Sequence, residues 1–600
     1  MILQSLYAYY EKLLEEESDG IPREGYSAVA AAFEVHLDEE GQVSSIIPYV
    51  NEKGKPAKRT YIVPEQRKRA GKTIVPYFLC DKAEYLFGES LEMREICRIE
   101  MRAEWQKILD RVKENTPEVQ ALHKFIAWDA EQLTAQLDGI LSEDVRASLL
   151  GGGFCVLRYA PTGRYMHDDR MLQTAWEGYS QQEQDGAAGE EQMCLMTGEI
   201  VPVSQIARLH PNIKNVVGAQ SSGAAIVSFN IPSFCSYGKE QSYNAPTSKK
   251  AADAYGYVLN RLLADPKHRV RFNDTTVVFW VESGRQEEQD FLTCLLQESS
   301  EQGSKHSESP DADSIRERVK GAVEGIRKGQ RFQDTFDDLN GDAKFYVLGL
   351  SPNAARVAIR FWYTGTLKEL GAKVWQHYED LSIVGLNRSP AIREILRELA
   401  VGREWGNIPP NMEGQLFRSV MLGGAYSRAV FVQLINRIRA DKDNPQKGIY
   451  KIGALRAAML KAYLKRSARL RGDDQLEGEL TMGENIESTS VPYHLGRLFA
   501  CLEKAQANAL GQQLNATVRD RFWGAASASP STVFPRLLNL AQHHVSKDEK
   551  WGKYNDDLIQ KVMSALPEKL PRRMTLEEQG MFAIGYYHKR ESFYKSQQDQ

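Results

Sequence analysis

Apolar residues recur at two different periods along the chain, and the change from one to the other divides it. Residues 3–14 set Leu3, Leu6, Tyr7, Tyr10, Leu13 and Leu14 at helical spacing, which predicts an opening amphipathic helix. Shorter runs of β-branched and aromatic residues follow. "AAFEVHLDEEGQVSSIIPYV" predicts two strands around a Glu-Gly turn, and "GFCVLRYA", "AAIVSFN" and "TTVVFWVE" predict further strands. "FYVLGLSPNAARVAIRFWY" predicts strands over 345–350 and 356–363 joined at Ser-Pro-Asn, with Val357, Ile359 and Phe361 on one face and Arg356, Ala358 and Arg360 on the other.

From about residue 375 the alternation stops and spacing of three and four takes over, in segments such as "RAVFVQLINRIRAD", "LRAAMLKAYLKRSARL", "HLGRLFACLEKAQANAL" and "VFPRLLNLAQHHV". The expected class is α+β: a mixed N-terminal α/β-sheet domain over 1–374, a helical region over 375–480 and a C-terminal helical bundle over 481–600. The last boundary falls in the acidic, glycine-containing break "RGDDQLEGELTMGENIESTS". Residues 298–313, polar and acidic, are expected to form a mobile surface insertion.

Six hundred residues with 42% apolar and 26% charged side chains describe a folded chain of more than one domain. Seven cysteines contain no CxxC pair, so neither a disulfide framework nor a zinc ribbon is encoded. The first twenty residues lack a basic leader, and no apolar run reaches bilayer length, so a cytoplasmic protein without membrane contact is expected. Net charge is only −4, but it is unevenly spread. Residues 53–72 carry eight Lys or Arg against one Glu, and residues 451–471 carry seven and no acid. Local basic patches on a mildly acidic chain suit a protein that touches nucleic acid at chosen places.

The stretch 218–246, "GAQSSGAAIVSFNIPSFCSYGKEQSYNAP", concentrates neutral hydroxyls and amides among Phe229, Phe234, Tyr237 and Tyr243. It is not a phosphate loop, because Ala224 and Ala225 follow Gly223 where Lys and Ser or Thr are required. Ser221 lies in GxxSxG rather than GxSxG, and the glycines at 151–153 lack dinucleotide spacing. His167 and Asp168 adjoin, as in some metal phosphohydrolases, but no second cluster at ligand spacing accompanies them. His543 and His544 lie on an amphipathic helix. A binding protein without catalytic residues, metal or cofactor is therefore expected.

"LMTGEIVPVSQIARLHPNIKNVVGAQSSGAAIVSFNIPSFCSYGKEQSYNAP", "AYGYVLNRLL", "FYVLGLSPNAARVAIRFW", "HLGRLFACLEKAQ", "FPRLLNLAQHH" and "LEEQGMFAIGYYHKRESFY" together resemble the large subunit of the type I-C CRISPR Cascade surveillance complex. So do "MILQSLYAYYEKL" and "VPEQRKRAGKTIVPYFLCDKAEYLFG", and the resemblance runs over the whole chain. It implies a non-catalytic subunit near the 5′ end of the guide CRISPR RNA that inspects target double-stranded DNA for a short flanking motif, the PAM. Such a subunit aids duplex opening and R-loop formation and presents a surface to a separate helicase-nuclease. The implied partners also include the Cascade backbone subunits and a small subunit. In this family an internal start is thought to yield the small subunit, and Met482 is a suitable position for one.

Guide pairing reads the target, so the protein need only read the flank and hold strands. Amides suit base edges, and Lys and Arg suit guanine or phosphate. On that basis Gln66, Arg67, Lys68, Arg69 and Lys72 are candidates for gripping the flank. Gln220, Ser221, Ser222, Asn230, Lys239, Gln241 and Asn244 are candidates for lining a site for the flank or the guide's 5′ handle. Asn353, Arg356 and Arg360 form a second candidate surface; Lys461, Lys465 and Arg469, four apart on a helix, would track a displaced strand. Lys504, Arg519, Arg521, Arg536 and Lys547 are further strand contacts for the bundle. Each has a plainer alternative: a solvated turn at 65–73, backbone satisfaction by Asn230 and Asn244, an ordinary exposed face at 461–469, and core packing for Phe229 and Phe234. A scaffold that binds guide RNA and backbone subunits without reading DNA is the competing function.

Overall fold

A computed structural model describes residues 2–16, 20–66, 69, 74–185, 190–271, 275–297, 325, 340–409, 412–444, 449–511 and 516–598. The expected insertion at 298–313 lies outside them. The fold is α+β, and the chain forms two compact units: residues 1–264 with 352–358, and residues 265–351 with 359–600.

The first unit opens on the helix Ile2–Glu16, whose Leu6, Tyr9, Tyr10 and Leu13 are buried against the helix Lys249–Ala264. Its sheet contains β1 (Tyr26–Leu37), β2 (Val43–Pro48), β3 (Arg59–Pro64), β4 (Cys80–Lys82), β5 (Phe154–Tyr159) and β6 (Arg164–Tyr165). The order is β2-β1-β5-β4, with β3 also on β1 and β6 on β5. Only the β1–β5 pair is parallel; between them the register slips at Ala31/Phe33. A one-residue slip exchanges the two faces of a strand. Before it Val29 and Ala31, and after it Glu34 and His36, therefore share a face with Val156 and Arg158. The other face, carrying Phe33, Val35, Leu37, Cys155 and Leu157, packs in one core with the helices Glu95–Leu109, Pro117–Ala127 and Ala130–Ile140.

Farther on, the hairpin of β7 (Glu191–Met193) and β8 (Ile200–Pro202) precedes an irregular region holding only β9 (Asn212–Ile213) and β10 (Ala224–Ala225). The strand expected over "AAIVSFN" thus ends after two residues.

The second unit has β11 (Arg269–Arg271), β12 (Thr276–Val281) and most of β13 (Lys344–Asn353) and β14 (Arg356–Thr366), in that order, residues 352–358 belonging to the first unit. Every residue of β12 is buried, which explains its unbroken apolar run. After Thr366 the described residues form helices and loops without further named strands. Helices Val491–Leu510 and Leu576–Gln598 cross at Gly496 and Gly585. The basic run 451–471 belongs to the helix Ala454–Arg471, and much of its charge is internal. Arg456 bonds Glu398 (2.8 Å) and Asp441 (2.6 Å), while Arg466 (3.3 Å) and Arg469 (2.7 Å) bond the buried Asp380.

Two buried histidines of this unit lose basicity. Burial, reinforced by Arg466, pushes His377 down to about 3; burial, reinforced by Lys461, pushes His588 down to about 4. Both folded values lie below the unfolded one, so the unfolded chain binds more protons in between, and stability falls as pH drops from about 6.5 toward 4. The denaturation midpoint is expected to fall between pH 7 and pH 5, each histidine contributing up to about 1.4 kcal/mol per pH unit. A flat profile, with H588F no different from the parent, contradicts this assignment.

Candidate nucleic-acid interface

The irregular segment is laid down on the helix Lys249–Ala264. His210 Nδ1 hydrogen-bonds the Tyr255 hydroxyl at 2.8 Å. Asn260 accepts from the Lys214 N–H at 2.7 Å and donates to the Asn212 carbonyl at 3.0 Å. Gly256 is required by proximity: a Cβ there would stand 2.3 Å from Pro211 Cγ. These contacts fix β9, and β9 fixes β10 through Ala224↔Ile213 and Ala225↔Asn212. The turn before β10 leaves Gln220, Ser221 and Ser222 exposed.

Beyond β10, the Ala225 N–H donates to the Ala355 carbonyl at 3.1 Å, and Ala225 pairs with Arg356. Two candidate sets from distant sequence thereby meet. The Arg356 guanidinium donates to Asn230 Oδ1 at 2.8 Å and lies over the Phe234 ring at 4.6 Å. Phe234, expected in the core, instead supports an arginine, and Asn353 is exposed in the same turn.

The next residues make a finger. Ser236 and Lys239 bridge around Tyr237-Gly238, whose φ values are +52° and +73°. Asn244 holds this tip from inside. Its Oδ1 accepts from the Ser236 N–H at 2.9 Å, and its Nδ2 donates to the carbonyls of Lys239 (2.7 Å) and Gln241 (3.0 Å). Asn244 thus satisfies backbone and shapes the loop. Lys239 is exposed; Gln241, half-buried, has φ +51°. Tyr237 is 99% exposed, an uncommon setting for a tyrosine on a left-handed backbone. In the sequence Tyr237 stands only as one of the interleaved aromatics; the Tyr-Gly pair inside a polar stretch is the available signal.

Elsewhere the candidates are occupied differently. Gln66 donates its amide to the Cys80 carbonyl at 2.7 Å. Arg69 bonds both oxygens of the buried Asp81 at 2.7 Å and lies 3.8 Å from the ring centres of Tyr77 and Tyr85. The Arg69 guanidinium is therefore already engaged, bracing Asp81, the Val75 carbonyl and the two rings. Arg67, Lys68 and Lys72 lie outside the described residues. Arg360 is exposed and donates to Ser351 Oγ at 2.6 Å.

The helix face of Lys461, Lys465 and Arg469 is corrected. Lys461 is buried, Arg469 is partly open but bound to Asp380 and Glu477, and Lys465 is partly open. Arg519 is likewise buried with Asp443 and Glu503, and Lys504 is partly covered, whereas Arg521, Arg536 and Lys547 are exposed. His167 is buried, its ring packed on Tyr61 and Tyr165. Among the described residues no three His, Cys, Asp or Glu side chains gather to hold a metal, and no helix is long and apolar enough to cross a membrane.

Residues 6–594 match the family of CRISPR-associated proteins Cas_Csd1. The chain belongs to the Cas_Csd1 family. Cas_Csd1 proteins are the large subunits of type I-C Cascade, so this chain is a Cascade component, which implies CRISPR RNA and other Cas proteins as its partners. No curated protein matches it. The match spans both units, and the finger and Arg356 cluster lie within it.

Proposed function

We propose that this Cas_Csd1 chain is a non-catalytic, cytoplasmic subunit that reads the PAM in duplex DNA, aids duplex opening and R-loop formation, and helps recruit a helicase-nuclease. The observation that carries the reading is the joined surface of Asn230, Arg356 and Phe234 with the finger ending in Tyr237. It offers amide and guanidinium donors for base edges and phosphates. Its aromatic tip is held out where it can press between base pairs, as apolar wedges do in proteins that kink DNA. Residues 1–374 are assigned to flank and guide-end recognition. Residues 481–600 are assigned to a helical bundle that is also made separately from Met482 as the small subunit; Met482 is exposed, outside any helix.

The test is assembly with guide RNA and backbone subunits, followed by binding to matched duplexes with a randomised flank at fixed salt. One short motif is expected to be enriched, and N230A with R356A is expected to reduce its preference at least about tenfold, the scale of one lost bidentate contact. Cys235, the cysteine exposed in this finger, gives a second readout. A thiol-reactive group on the flank should crosslink there. Equal binding to every flank, with no Cys235 crosslink, leaves the scaffold reading, to which the internal engagement of Gln66 and Arg69 lends support.

A further inference from the structure

Between the opening helix Ile2–Glu16 and the helix Lys249–Ala264 the first unit holds a cleft, whose remaining walls are the turn 22–26 and Glu65, the residue after β3. About 50 Å³ is free inside it, room for about three to five water-sized groups. The frame is tied by hydrogen bonds that need no ligand. The Tyr10 hydroxyl donates to the Pro22 carbonyl at 2.6 Å, the Tyr257 hydroxyl to the Gly20 carbonyl at 3.2 Å, and the Glu65 N–H to the Gly25 carbonyl at 2.9 Å. The rings of Tyr10 and Tyr257, edge to face with centroids 6.4 Å apart, and the Pro22 ring give the cleft an apolar side.

The other side is acidic. Glu24, Glu65 and Asp253 all line it. Asp253 is open to the cleft and, among the described residues, makes no hydrogen bond or ion pair. The walls strip water from it and Glu65 adds like charge, so its carboxyl is pushed up to about 7 against the opposing pull of Lys249. Tyr10 feels the same field: burial, then Asp253 and Glu24, push its hydroxyl up to about 12. The nearby cations leave this uncompensated. Arg23 is bonded to Glu177 at 2.8 Å and lies over Tyr26 at 4.8 Å, and Lys249 and Lys250, in the first turn of their helix, do not pair with Asp253.

We propose that this cleft binds a small organic cation, a primary alkylammonium of about four to six heavy atoms, with its ammonium on Asp253 and Glu65 and its alkyl part against Tyr10, Tyr257 and Pro22. The ammonium brings the donors that Asp253 lacks, and a cation between two facing carboxylates replaces their repulsion with two charge-assisted hydrogen bonds. Tyrosine faces add attraction for the same charge. A metal ion suits the cleft less well, because one side is apolar and among the described residues no three His, Cys, Asp or Glu side chains gather to hold one. The free space excludes a large ligand. The site shares no residue with the finger or the Arg356 cluster and does not depend on flank reading.

The test titrates the full chain with n-butylamine and with n-butanol, which has the same shape and no charge, and follows binding by saturation-transfer NMR. The amine is expected to bind saturably and the alcohol not. D253N is expected to weaken the amine at least about tenfold, the scale of one charge-assisted hydrogen bond. It should leave the unfolding midpoint unchanged or raised, because it removes a like charge facing Glu65. Only ionised Asp253 holds the ammonium, which itself stays charged, so affinity is expected to fall from pH 8 to pH 6 by up to about tenfold per unit below 7, and D253N to lose that slope. On the unaltered chain, a carbodiimide added during the titration is expected to join the bound amine as an amide to Asp253 or Glu65. Equal binding of amine and alcohol, parent-like binding by D253N, a flat pH profile, or amides spread over other surface acids without enrichment in the cleft would each overturn the site. Flank selection by the assembled complex is measured separately, so loss of one assignment leaves the other standing.

Discussion

N244A is expected to weaken binding of the assembled complex to a target bearing its preferred flank by about 30- to 100-fold, with little change in global unfolding. Asn244 makes three hydrogen bonds to the backbone of the finger. At about 0.5–1.5 kcal/mol each, their loss leaves the tip roughly 2–3 kcal/mol less ordered, a cost that reappears when DNA must order it. N244D should be worse, since a carboxylate cannot donate to the Lys239 and Gln241 carbonyls and would face them with like charge. Tyr237 separates order from contact. Its left-handed backbone costs on the order of 1 kcal/mol, which glycine would relieve. Y237G is therefore expected to keep or raise stability while losing affinity, and Y237F to keep both. Parent-like binding by N244A would remove the finger from the DNA-reading surface.

The order of strands and helices was legible because period two and period 3.6 are local properties. β12 and β14 stand close to where alternation and β-branching placed them. The family was legible from its motifs, and the polar stretch was legible as unusual. What failed was charge. Lys461, Lys465 and Arg469 look like a basic face, but Lys461 is buried and Arg469 is held by Asp380, which belongs to a helix more than eighty residues earlier. Arg69 has the same history on a shorter scale, with Asp81 brought under it by β4. A cation count cannot tell a solvated lysine from one enclosed by distant acids. The bulge at Ala31/Phe33 is hidden in the same way: Glu34 reads as an ordinary strand residue until the slip turns it toward Arg158. Tyr237 was hidden because sequence carries neither exposure nor φ.

Packing at the C-terminal crossing predicts the largest loss of stability. A Cβ on Gly585 would lie 2.1 Å from the Tyr493 carbonyl oxygen, and one on Gly496 would lie 1.9 Å from that of Phe582. Both obstacles are backbone, so relief requires the helices Val491–Leu510 and Leu576–Gln598 to part by more than about 1 Å, in a core that tolerates little change of volume. That core is the ring cluster of Phe499, Trp523, Phe582 and Tyr586. G585V is expected to cost at least about 3 kcal/mol in denaturant unfolding, and parent-like stability would show that the crossing is loose. The same lesion bears on the product assigned to Met482, which contains both helices. M482L should remove a short product from cell extracts and leave the full chain, whereas G585V should deplete both. Separated from residues 1–481, that product retains Glu503 for Arg519 but loses Asp443, and it uncovers the face where Gly580 meets Phe431 and Leu464. A buried arginine with one of its two acidic partners and a bared apolar face are unfavourable in a free monomer. The small subunit is therefore expected to persist only where a strand or a protein covers that face.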